Sequence, residues 1–572
     1  MNKHFIGLDF GTTCSSIYVY NTETNKPEPR MKGQESEYIP TLIAFQKENG
    51  NKKILYGFEA AKANQYIFDV KRMLGVTYEA LIEQYSKNGK TLWDEEGLSF
   101  KSTKNKMNEA STIEICCDPE DKNFESSEKI AGKYIQWLVE TVAEIKIDLY
   151  LNIVITIPAD FTVNQRKAII RAAKEAGFDE YNITLLHEPS ATAISYFQQP
   201  ENVDKTFNNL LVCDFGGGTF DLSLLSISKS NFDVKIVYGD RQLGGRDFDH
   251  AIYQWIKTKC RDEFDFNLDK FDAHEKIDLI KKCQDAKEQL SSQNEIQIKL
   301  RIREEEKTLI LTRNEFNSIC NDLIEKSIKT VVKILNESEI SSSDVDGVIL
   351  VGGSSSIPIF QSKMKEFFGE EKILSFDKNR EAIAMGACYL AAMNEGIIST
   401  ENMKNNYNQR LSHSIGIEIT DGDIINPKRG FFSPILKKNT LIPCTQKSNY
   451  VNPDWSTSVG YFIHECDEIK VSENTLVDLL IQNIRSAKYG TFSIEVVMSI
   501  DRNGILTTYC TCENNGNVSK RTNLMINCEV FKMFVQKSQI NQQFLPEYKK
   551  DERDCARHLC HIIEAQDFQL ED

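Results

Sequence analysis

The sequence predicts an α/β protein with a duplicated strand-turn-strand element, followed by a smaller all-β domain and a short helical tail. Residues 1–395 alternate apolar, strand-like runs with helix-like segments. The tripeptide Asp-Phe-Gly occurs twice in this part, at Asp9–Gly11 and at Asp214–Gly216, each time between two apolar runs. After residue 395 the pattern changes to short alternating segments separated by turn residues, which is typical of an antiparallel β domain.

Composition and charge exclude several classes of protein. The 572 residues are enough for several domains, and 41% hydrophobic with 27% charged residues is the composition of a soluble globular protein. A net charge of -16 and the lack of any run of 18 apolar residues argue against nucleic-acid and membrane partners. The 15 cysteines include no Cys-x-x-Cys pair, which favours a reducing compartment. Since no signal-peptide pattern is present, we expect a cytoplasmic, monomeric protein, with the nucleus as the alternative location.

Local patterns predict individual elements. Residues 162–178 have the periodicity of an amphipathic helix, and residues 295–311 that of a hairpin around a charged turn. Thr312 and Glu315 form a capping box that begins the next helix. The Asn503-Gly504 pair predicts a tight turn between two strands.

These patterns divide the chain into four predicted segments. Residues 1–395 form an α/β domain, and residues 396–411 are a polar, unpatterned linker. Residues 412–528 form a β-sandwich domain, and residues 529–572 are helical but too few for a large independent domain.

Both Asp-Phe-Gly stretches continue into a turn that contains glycine and threonine. Glycines in such a turn expose backbone N–H groups to phosphate oxygens, because no Cβ is in the way. The aspartate at the strand end can organise the water shell of Mg²⁺, so two facing hairpins would hold the phosphates of one nucleotide. A third glycine-rich element at Leu350–Pro358 favours this interpretation over purely structural turns. A protein kinase would need a His-Arg-Asp catalytic loop, which the sequence does not contain.

The motifs in order are GLDFGTTCSS, FDVKRMLG, VITIPADF, HEPSATAISY, DFGGGTFDLS, LGGRDFD, VGGSSSIP and AIAMGA. Together they resemble the actin–hexokinase–heat-shock ATPase superfamily, and most closely the seventy-kilodalton heat-shock (DnaK-like) chaperones. Past the linker, IGIEI, KKNTLIP and IEVVMSIDRNGIL resemble the β-sandwich peptide-binding domain of that family. The resemblance therefore implies a two-lobed, actin-like ATPase domain, a β-sandwich that binds unfolded or extended polypeptides, and a truncated helical lid.

The resemblance also implies an ATP hydrolase that forms ADP and phosphate with Mg²⁺, with K⁺ as a further candidate ion. Lys71 matches the catalytic lysine, which would place a positive charge beside the γ-phosphate and orient the attacking water. The other positions that match catalytic or metal-site residues are Asp9 and Asp214, which hold the metal through water, with Thr12, Glu188, Thr219 and the further carboxylate Asp221. The positions that match nucleotide-binding residues are Gly11, Thr12, Thr13, Cys14, Lys71, Gly216, Gly217, Gly218, Thr219, Gly244, Gly245, Gln284, Lys287, Glu288, Ser291, Gly352, Gly353, Ser354 and Ser356. Pro158 and Arg166 match a pair that relays the nucleotide state to the second domain.

The sequence departs from the family pattern where the adenine should bind. Family members hold the base between two arginines, and these positions are Glu288 and Ser356 here. An expected glutamate is Gln284, whereas the ribose position Lys287 is kept. Losing two stacking contacts of about 0.5–2 kcal/mol each would weaken nucleotide binding roughly 5- to 1000-fold. A further hypothesis is that Arg380 compensates from another direction.

The linker and the peptide domain depart from the pattern too. The aligned linker, NNYNQR at 405–410, has no apolar strip that could dock on the ATPase domain. The positions for J-domain co-chaperones are Thr184, His187 and Gln409, so these contacts look altered. The positions that match the peptide groove are Ile417, Ile419, Tyr450 and Val459, for which ordinary sandwich core is the alternative explanation.

Three functions remain open at this point. The first is a divergent ATP-hydrolysing chaperone. The second is a catalytically weak or inactive relative, of the ribosome-associated or nucleotide-exchange type, that regulates another chaperone. The third is a small-molecule kinase of the same superfamily, against which the downstream β-sandwich argues.

Overall fold

The computed structural model describes residues 4–48, 51–63, 66–76, 101–104, 113–118, 123–228, 231–240, 243–303, 305–374, 380–398, 407–419, 431–451, 459–466, 475–481, 493–514 and 517–522. They form two compact units: the first extends to Gln409, and the second comprises Thr162–Asn164 and the chain from Arg410. The protein is mixed α/β with several sheets, as predicted. Within these ranges no helix is long and apolar enough to cross a membrane.

The first unit contains 18 strands and 11 helices among its described residues. Its strands are β1 Ile6–Asp9, β2 Cys14–Asn21, β3 Lys26–Arg30, β4 Ile39–Pro40, β5 Ile43–Glu48, β6 Asn51–Tyr56, β7 Lys101–Lys104, β8 Ile113–Asp118, β9 Asn123–Ser126, β10 Ile153–Ile157, β11 Ile183–His187, β12 Phe207–Phe215, β13 Phe220–Ser228, β14 Asn231–Asp240, β15 Glu295–Ile302, β16 Glu305–Thr312, β17 Gly347–Val351 and β18 Tyr407–Arg410. Its helices are α1 Gly57–Ala60, α2 Val70–Met73, α3 Ser127–Trp137, α4 Val163–Glu175, α5 Glu188–Phe197, α6 Gly245–Phe264, α7 Ala273–Gln289, α8 Arg313–Ile319, α9 Asn321–Glu337, α10 Pro358–Phe368 and α11 Ala382–Asn394.

Two sheets of the first unit repeat one topology. In the first sheet the order is β11-β10-β1-β2-β3, with β10 parallel to β1 and the β1-β2-β3 meander antiparallel. In the second sheet the order is β17-β12-β13-β14, with β17 parallel to β12 and the β12-β13-β14 meander antiparallel. Each meander therefore begins with the strand that carries the aspartate of an Asp-Phe-Gly motif at or next to its end, and each is extended on the same side by a parallel strand.

Apolar side chains from both sheets form the core of this unit. Helices α5 and α11 supply a continuous set of buried side chains that pack with one face of the second sheet and with residues of β1's sheet. The other face of the second sheet packs against α6, α7, α9 and α10 and the inner side of the β15-β16 hairpin. Burying a large apolar side chain contributes about 1.5–3 kcal/mol, so these layers hold the strand ends in fixed positions.

The local predictions for this unit agree with the structure. The helix predicted over 162–178 is α4, and the predicted hairpin is β15-β16, whose alternating side chains are exposed and buried in turn. Thr312 accepts a hydrogen bond from the backbone N–H of Glu315, and the Glu315 carboxylate accepts one from the backbone N–H of Thr312. The predicted capping box is thus confirmed.

Part of the segment predicted as a linker, 396–411, is a strand. Residues Tyr407–Arg410 form strand β18, which pairs in parallel with β14 through Tyr407 opposite Phe232 and Asn408 opposite Asp233. Backbone hydrogen bonds do not require apolar side chains, so the polar composition of the segment did not reveal the strand.

The second unit contains nine strands within its described ranges, in two four-stranded sheets and one short piece. They are β19 Ile415–Ile419, β20 Phe431–Leu436, β21 Leu441–Ile442, β22 Cys444–Val451, β23 Val459–Glu465, β24 Thr475–Ile481, β25 Ser493–Ile500, β26 Leu506–Asn514 and β27 Asn517–Thr522. The sheet orders are β20-β19-β23-β24 and β22-β25-β26-β27. Side chains of both sheets, including Ile415 and Ile463 from one and Val496 and Met498 from the other, form one apolar cluster. The predicted tail at 529–572 lies outside the described residues.

Candidate active site

The first glycine loop connects β1 to β2. Asp9 ends β1 and is paired in register with Ser16, and the Thr156 hydroxyl donates a 3.0 Å hydrogen bond to its Oδ1. Thr41 fastens the loop, because its hydroxyl donates to the Gly11 carbonyl oxygen at 2.9 Å and its N–H donates to the carbonyl oxygen of Thr13 at 2.9 Å. The loop is thereby held in one shape with Asp9 at its base.

The second glycine loop connects β12 to β13 in the same way. Asp214 is paired in register with Asp221, and the N–H of Gly216 donates to the Thr219 carbonyl oxygen at 3.0 Å. The phenylalanine after the aspartate serves as an anchor: the ring of Phe215 is buried, with its centroid 4.6 Å from that of Phe220. Packing beneath the loop therefore sets its position.

The two loops face each other at close range. A Cβ built on Gly217 would lie 2.0 Å from Oγ1 of Thr13, and one built on Gly218 would lie 2.5 Å from Oγ1 of Thr12. Real Cβ atoms do not approach other atoms this closely, so both positions require glycine in this arrangement.

Two later elements support the second loop. The backbone N–H groups of Gly245 and Arg246, at the start of α6, donate to the carbonyl oxygens of Gly216 and Gly217 at 3.0 and 2.9 Å. The hydroxyl of Ser354 donates to the carbonyl oxygen of Gly216 at 2.8 Å. A Cβ on Gly244 would lie 2.5 Å from the backbone of Gly218. A Cβ on Gly352, which has φ +81°, would lie 2.5 Å from Oδ1 of Asp214.

Lys71 and Glu188 form an ion pair at the same place. The distance between Nζ and Oε1 is 2.6 Å, and the side chains are 4% and 9% exposed. Burial opposes the charge of Lys71, but the carboxylates of Glu188 and Asp9 outweigh it and raise its pKa. Lys71 is therefore a permanent positive charge in a buried position.

The carboxyl groups next to this ion pair are buried, so their ionised forms are poorly solvated. Burial, and then the charge of Glu188, raises the pKa of Asp9 to about 7 and that of Asp214 well above its usual range. Burial, and then the charge of Asp160, likewise raises the pKa of Asp221, whose Oδ1 accepts a 2.9 Å hydrogen bond from the N–H of Ala159.

These oxygens fit a hard cation such as Mg²⁺. Oδ2 of Asp214 is buried and has no hydrogen-bond partner among the described residues. Carboxylate and hydroxyl oxygens are the donors that Mg²⁺ prefers, and the ion commonly keeps several of its water ligands. Within the described ranges no three His, Cys, Asp or Glu side chains are grouped as a direct ligand set, so Asp9 and Asp214 fit an ion that is held through its water ligands.

The residues predicted for the base and ribose lie on α7 and near the first loop. Lys287 donates to the Gly245 carbonyl oxygen at 3.0 Å and forms a 2.7 Å ion pair with Asp249. Gln284 donates from Nε2 to Oε1 of Glu288 at 3.1 Å. Burial, and then the charge of Glu288, raises the pKa of Cys14 to about 11, so the Glu288 carboxylate acts on the first loop.

Ser291 and Arg380 are two further members of the predicted set. The N–H of Ser291 donates to the carbonyl oxygen of Glu288 at 3.2 Å, just after the end of α7. The guanidinium of Arg380 lies 5.7 Å from the ring centroid of Tyr38. Its positive charge lowers the pKa of Cys14 against the larger effects of burial and Glu288. Whether it contacts a base is still a hypothesis.

Of the two predicted relay residues, Arg166 contacts the end of β11. Arg166 donates from Nε to the Phe161 carbonyl oxygen at 3.0 Å, and its Nη2 lies 2.8 Å from Nε2 of His187. Burial, and then the positive charge of Arg166, lowers the pKa of His187 well below its usual range, so the imidazole is neutral and accepts this hydrogen bond. Pro158 accepts from the Phe161 N–H at 3.3 Å.

The predicted groove residues are placed differently from one another. Ile417 is fully buried in the core of the second unit, which is the position expected of an ordinary core residue. Tyr450 is half-buried against that core. Ile419 and Val459 lie in β19 and β23, but their side chains are outside the described part.

Several residues of the site were not found from the sequence. Thr41 and Thr156 support the first loop, and three charged residues, Asp69, Arg72 and Arg246, surround the segment that carries Lys71. Asp69 and Arg72 flank Lys71 within its motif, which is the signal that could have identified them. The other contacts join residues far apart in the chain and carry no local pattern.

The two repeated α/β sheets with facing glycine loops are consistent with the actin-like ATPase fold of the heat-shock chaperone class. The family model described as "Hsp70 protein" matches residues 5–558, and the chain therefore belongs to the Hsp70 family. The predicted resemblance to this chaperone family is thus confirmed.

Two curated proteins illustrate the similarity. The "Heat shock cognate 70 kDa protein 3" of Dictyostelium discoideum is 28% identical over 540 residues, which cover 90% of this chain and 79% of that protein. The "Heat shock cognate HSP70 protein" of Trypanosoma brucei brucei is 29% identical over 530 residues, which cover 90% and 74%. Members of this family are ATP-dependent chaperones, and the low identity marks this chain as divergent.

Proposed function

We propose that this chain is an ATP-hydrolysing chaperone that binds extended segments of unfolded polypeptide. The observation that carries the proposal is the buried ion pair of Lys71 with Glu188, next to glycine loops that face each other. A structural lysine would lie at the surface, where its charge is solvated, whereas this one is held among carboxylates.

In this proposal the two loops bind the phosphates of the nucleotide. Their backbone N–H groups and the hydroxyls of Thr12, Thr13 and Thr219 act as donors to phosphate oxygens. Asp9 and Asp214 hold Mg²⁺ through its water ligands, and the bound ion neutralises charge on the phosphates. The raised pKa values of both carboxyl groups fit such a role, because a cation would stabilise their ionised form.

Lys71 supplies the charge that hydrolysis needs. Glu188 fixes the direction of the ammonium group, and the raised pKa keeps it protonated. A fixed positive charge beside the γ-phosphate stabilises the charge that develops as water attacks, and it orients that water.

Steady-state ATP turnover, measured with and without an unfolded peptide, tests the proposal. We expect slow hydrolysis that the peptide accelerates, and loss of both rates in Lys71→Ala. Turnover that persists in Lys71→Ala would contradict the assigned role, and a phosphorylated small molecule as product would indicate the kinase alternative.

One observation favours a second function, that of a catalytically weak partner of another chaperone. Glu288 places a negative charge where the family has a base-stacking arginine, and that charge acts on the first loop at Cys14. A carboxylate there opposes binding of an anionic nucleotide. Calorimetric titration with Mg·ATP and Mg·ADP separates the two functions, since a catalytically weak partner should show little or no nucleotide binding at millimolar concentrations.

For the polypeptide, we propose the second unit as the binding domain. Its two four-stranded sheets suit a β-sandwich with peptide bound at one edge, and the half-buried Tyr450 is the described groove candidate that reaches the surface. We also propose the predicted boundaries at residues 395, 411 and 528, a cytoplasmic location, and weakened J-domain contacts because of Thr184, His187 and Gln409. Binding of a fluorescent unfolded peptide to the full chain, compared with Tyr450→Ala, tests the groove assignment.

A further inference from the structure

The segment that carries Lys71 is attached on both sides to a distant helix. Within residues 67–74 the apolar side chains, such as Val70 and Met73, are buried. The two charged neighbours of Lys71 point elsewhere, toward the first turn of α6 and the second glycine loop. The polar contacts of this segment therefore join parts of the chain 146 and 177 positions apart.

Arg246 makes the first of these attachments. Its Nε donates to Oδ1 of Asp69 at 3.3 Å, its Nη1 lies 3.8 Å from Oδ2 of Asp249, and its guanidinium lies 5.2 Å from the ring centroid of Phe68. Arg246 is 15% exposed and Asp69 is 5% exposed in their side chains, so water screens the pair only weakly.

Arg72 makes the second attachment. Its Nη2 donates to the carbonyl oxygen of Gly218 at 2.6 Å and lies 3.8 Å from Oδ2 of Asp247. Asp247 in turn accepts a 2.7 Å hydrogen bond from the N–H of Gly244, which packs on the same loop. Arg72 thus connects the lysine segment to a loop that we propose to bind phosphate.

The backbone at Asp69 shows why the first attachment matters for Lys71. Asp69 precedes α2 with φ 56° and ψ 24°, a left-handed conformation that a residue other than glycine adopts at a cost. Its side chain makes no capping hydrogen bond to the helix, and Arg246 binds it instead. Asp69 lies directly before α2, two residues from Lys71, so its contact with Arg246 acts at the start of the helix that carries Lys71.

We propose that Arg246 is a positioning residue for Lys71. Arg246 lies at the start of α6, beside the second glycine loop, and it binds Asp69 in the segment that carries Lys71. Lys71 is therefore held in position only when α6 and the second glycine loop lie against this segment. The inference rests on the proposed ATPase function, and it extends that function to residues outside the predicted nucleotide site.

The main test is single-turnover hydrolysis by the full chain. In Arg246→Gln we expect the hydrolysis rate constant to fall about tenfold, equivalent to about 1.4 kcal/mol, and release of a fluorescent ADP analogue to become faster. Arg246→Lys should recover most of the rate, because the charge that binds Asp69 is kept. Arg261→Gln is the matched control, since Arg261 lies on the same helix and pairs with Asp262 at the surface.

A double-mutant cycle identifies the partner. Asp69→Asn keeps a residue that tolerates the left-handed conformation, and combined with Arg246→Gln it should add little to the effect of either change alone. Effects that add in full would overturn the proposal, as would an unchanged hydrolysis rate in Arg246→Gln.

Hydrogen exchange of the nucleotide-free protein separates this inference from the ATPase proposal. We expect faster exchange of backbone amides in residues 67–74 in Arg246→Gln and no change in Arg261→Gln. If the chain binds no nucleotide, the proposed function fails and this measurement alone decides whether Arg246 holds the segment. Equal exchange in wild type and Arg246→Gln would overturn the attachment itself.

Discussion

The side-chain amide of Gln409 donates a 3.0 Å hydrogen bond to the carbonyl oxygen of Leu185, and both residues are buried. Gln409 belongs to β18, at the end of the first unit, and Leu185 belongs to β11. Two residues further along β11 is His187, directly before Glu188, the partner of Lys71. The linker strand is therefore connected to the candidate active site through one strand and one hydrogen bond.

Replacing Gln409 should loosen this strand. Gln409→Ala removes this buried hydrogen bond, which contributes about 0.5–1.5 kcal/mol. We expect faster hydrogen exchange in residues 407–410, and weaker stimulation of ATP turnover by an unfolded peptide. Gln136→Ala, in which an exposed amide is removed, is the control. If exchange in β18 is the same in both variants, the side chain does not hold the strand.

Removing Lys71 should abolish hydrolysis and leave nucleotide binding largely intact. The ammonium group lies 2.6 Å from Glu188, and no other lysine is part of this described contact. Single-turnover hydrolysis and calorimetric ADP binding of Lys71→Ala give the two quantities. Lys62→Ala serves as control, because Lys62 pairs with Glu35 at the surface. Loss of hydrolysis in both variants would point to a general loss of folding.

Asp9 should make stability depend on pH. Burial, and then Glu188, raises its pKa from 3.8 to about 7. Between pH 3.8 and pH 7, Asp9 keeps its proton in the folded protein, whereas the same carboxyl group has released it in the unfolded chain. The contribution of Asp9 to the free energy of unfolding is therefore fully present below pH 3.8 and is lost as the pH rises toward 7.

Asp9→Asn should remove this part of the pH dependence. We expect the free energy of unfolding of the nucleotide-free variant, measured with urea, to rise relative to that of wild type between pH 5 and pH 7.5, since the amide carries no charge to bury. Asp262→Asn, at an exposed position, should follow the wild-type profile. Parallel profiles for Asp9→Asn and wild type would show that this carboxyl group does not titrate in the expected interval.

An alanine at position 217 should disturb the facing loops. Its Cβ would lie 2.0 Å from Oγ1 of Thr13, so Thr13 or the loop must move. Overpacking of this kind costs about 1–3 kcal/mol in the free energy of unfolding, measured by urea unfolding. Gly353→Ala should be nearly neutral in the same measurement, because nothing lies within 4 Å of its Cβ position.

A second change tests the cause of that loss. Thr13→Ala removes the atom that the new Cβ would meet, so the double variant should recover part of the stability lost in Gly217→Ala. A loss of stability that the second change leaves untouched would mean that the two loops do not face each other as described.

Glu288→Arg should strengthen nucleotide binding. It removes a carboxylate that acts on the first loop and supplies a guanidinium of the kind that stacks on a base. A stacking contact of about 0.5–2 kcal/mol corresponds to roughly 2- to 30-fold tighter binding of ADP in calorimetry. Glu288→Gln separates loss of charge from stacking. Equal affinities of the Arg and Gln variants would argue against a base at this position.

The sequence by itself determined the family, the mixed α/β class and the positions of the glycine loops. These features are local: a tight turn needs glycine at fixed positions, and a capping box such as Thr312 with Glu315 needs residues three apart. The periodicity of β15-β16 likewise follows from side chains that alternate between core and water. Each can be recognised without knowing what packs against it.

Only the tertiary structure decided which distant residues meet. Arg246 and Asp69 are 177 positions apart, and Gln409 and Leu185 are 224 positions apart, so nothing in the neighbourhood of either residue indicates its partner. Strand β18 pairs with β14 through backbone groups, and such pairing leaves no pattern in the side chains of the segment. The raised pKa values of Asp9, Asp214 and Asp221 have the same origin, since burial and neighbouring charge exist only once the two sheets have brought these carboxyl groups together.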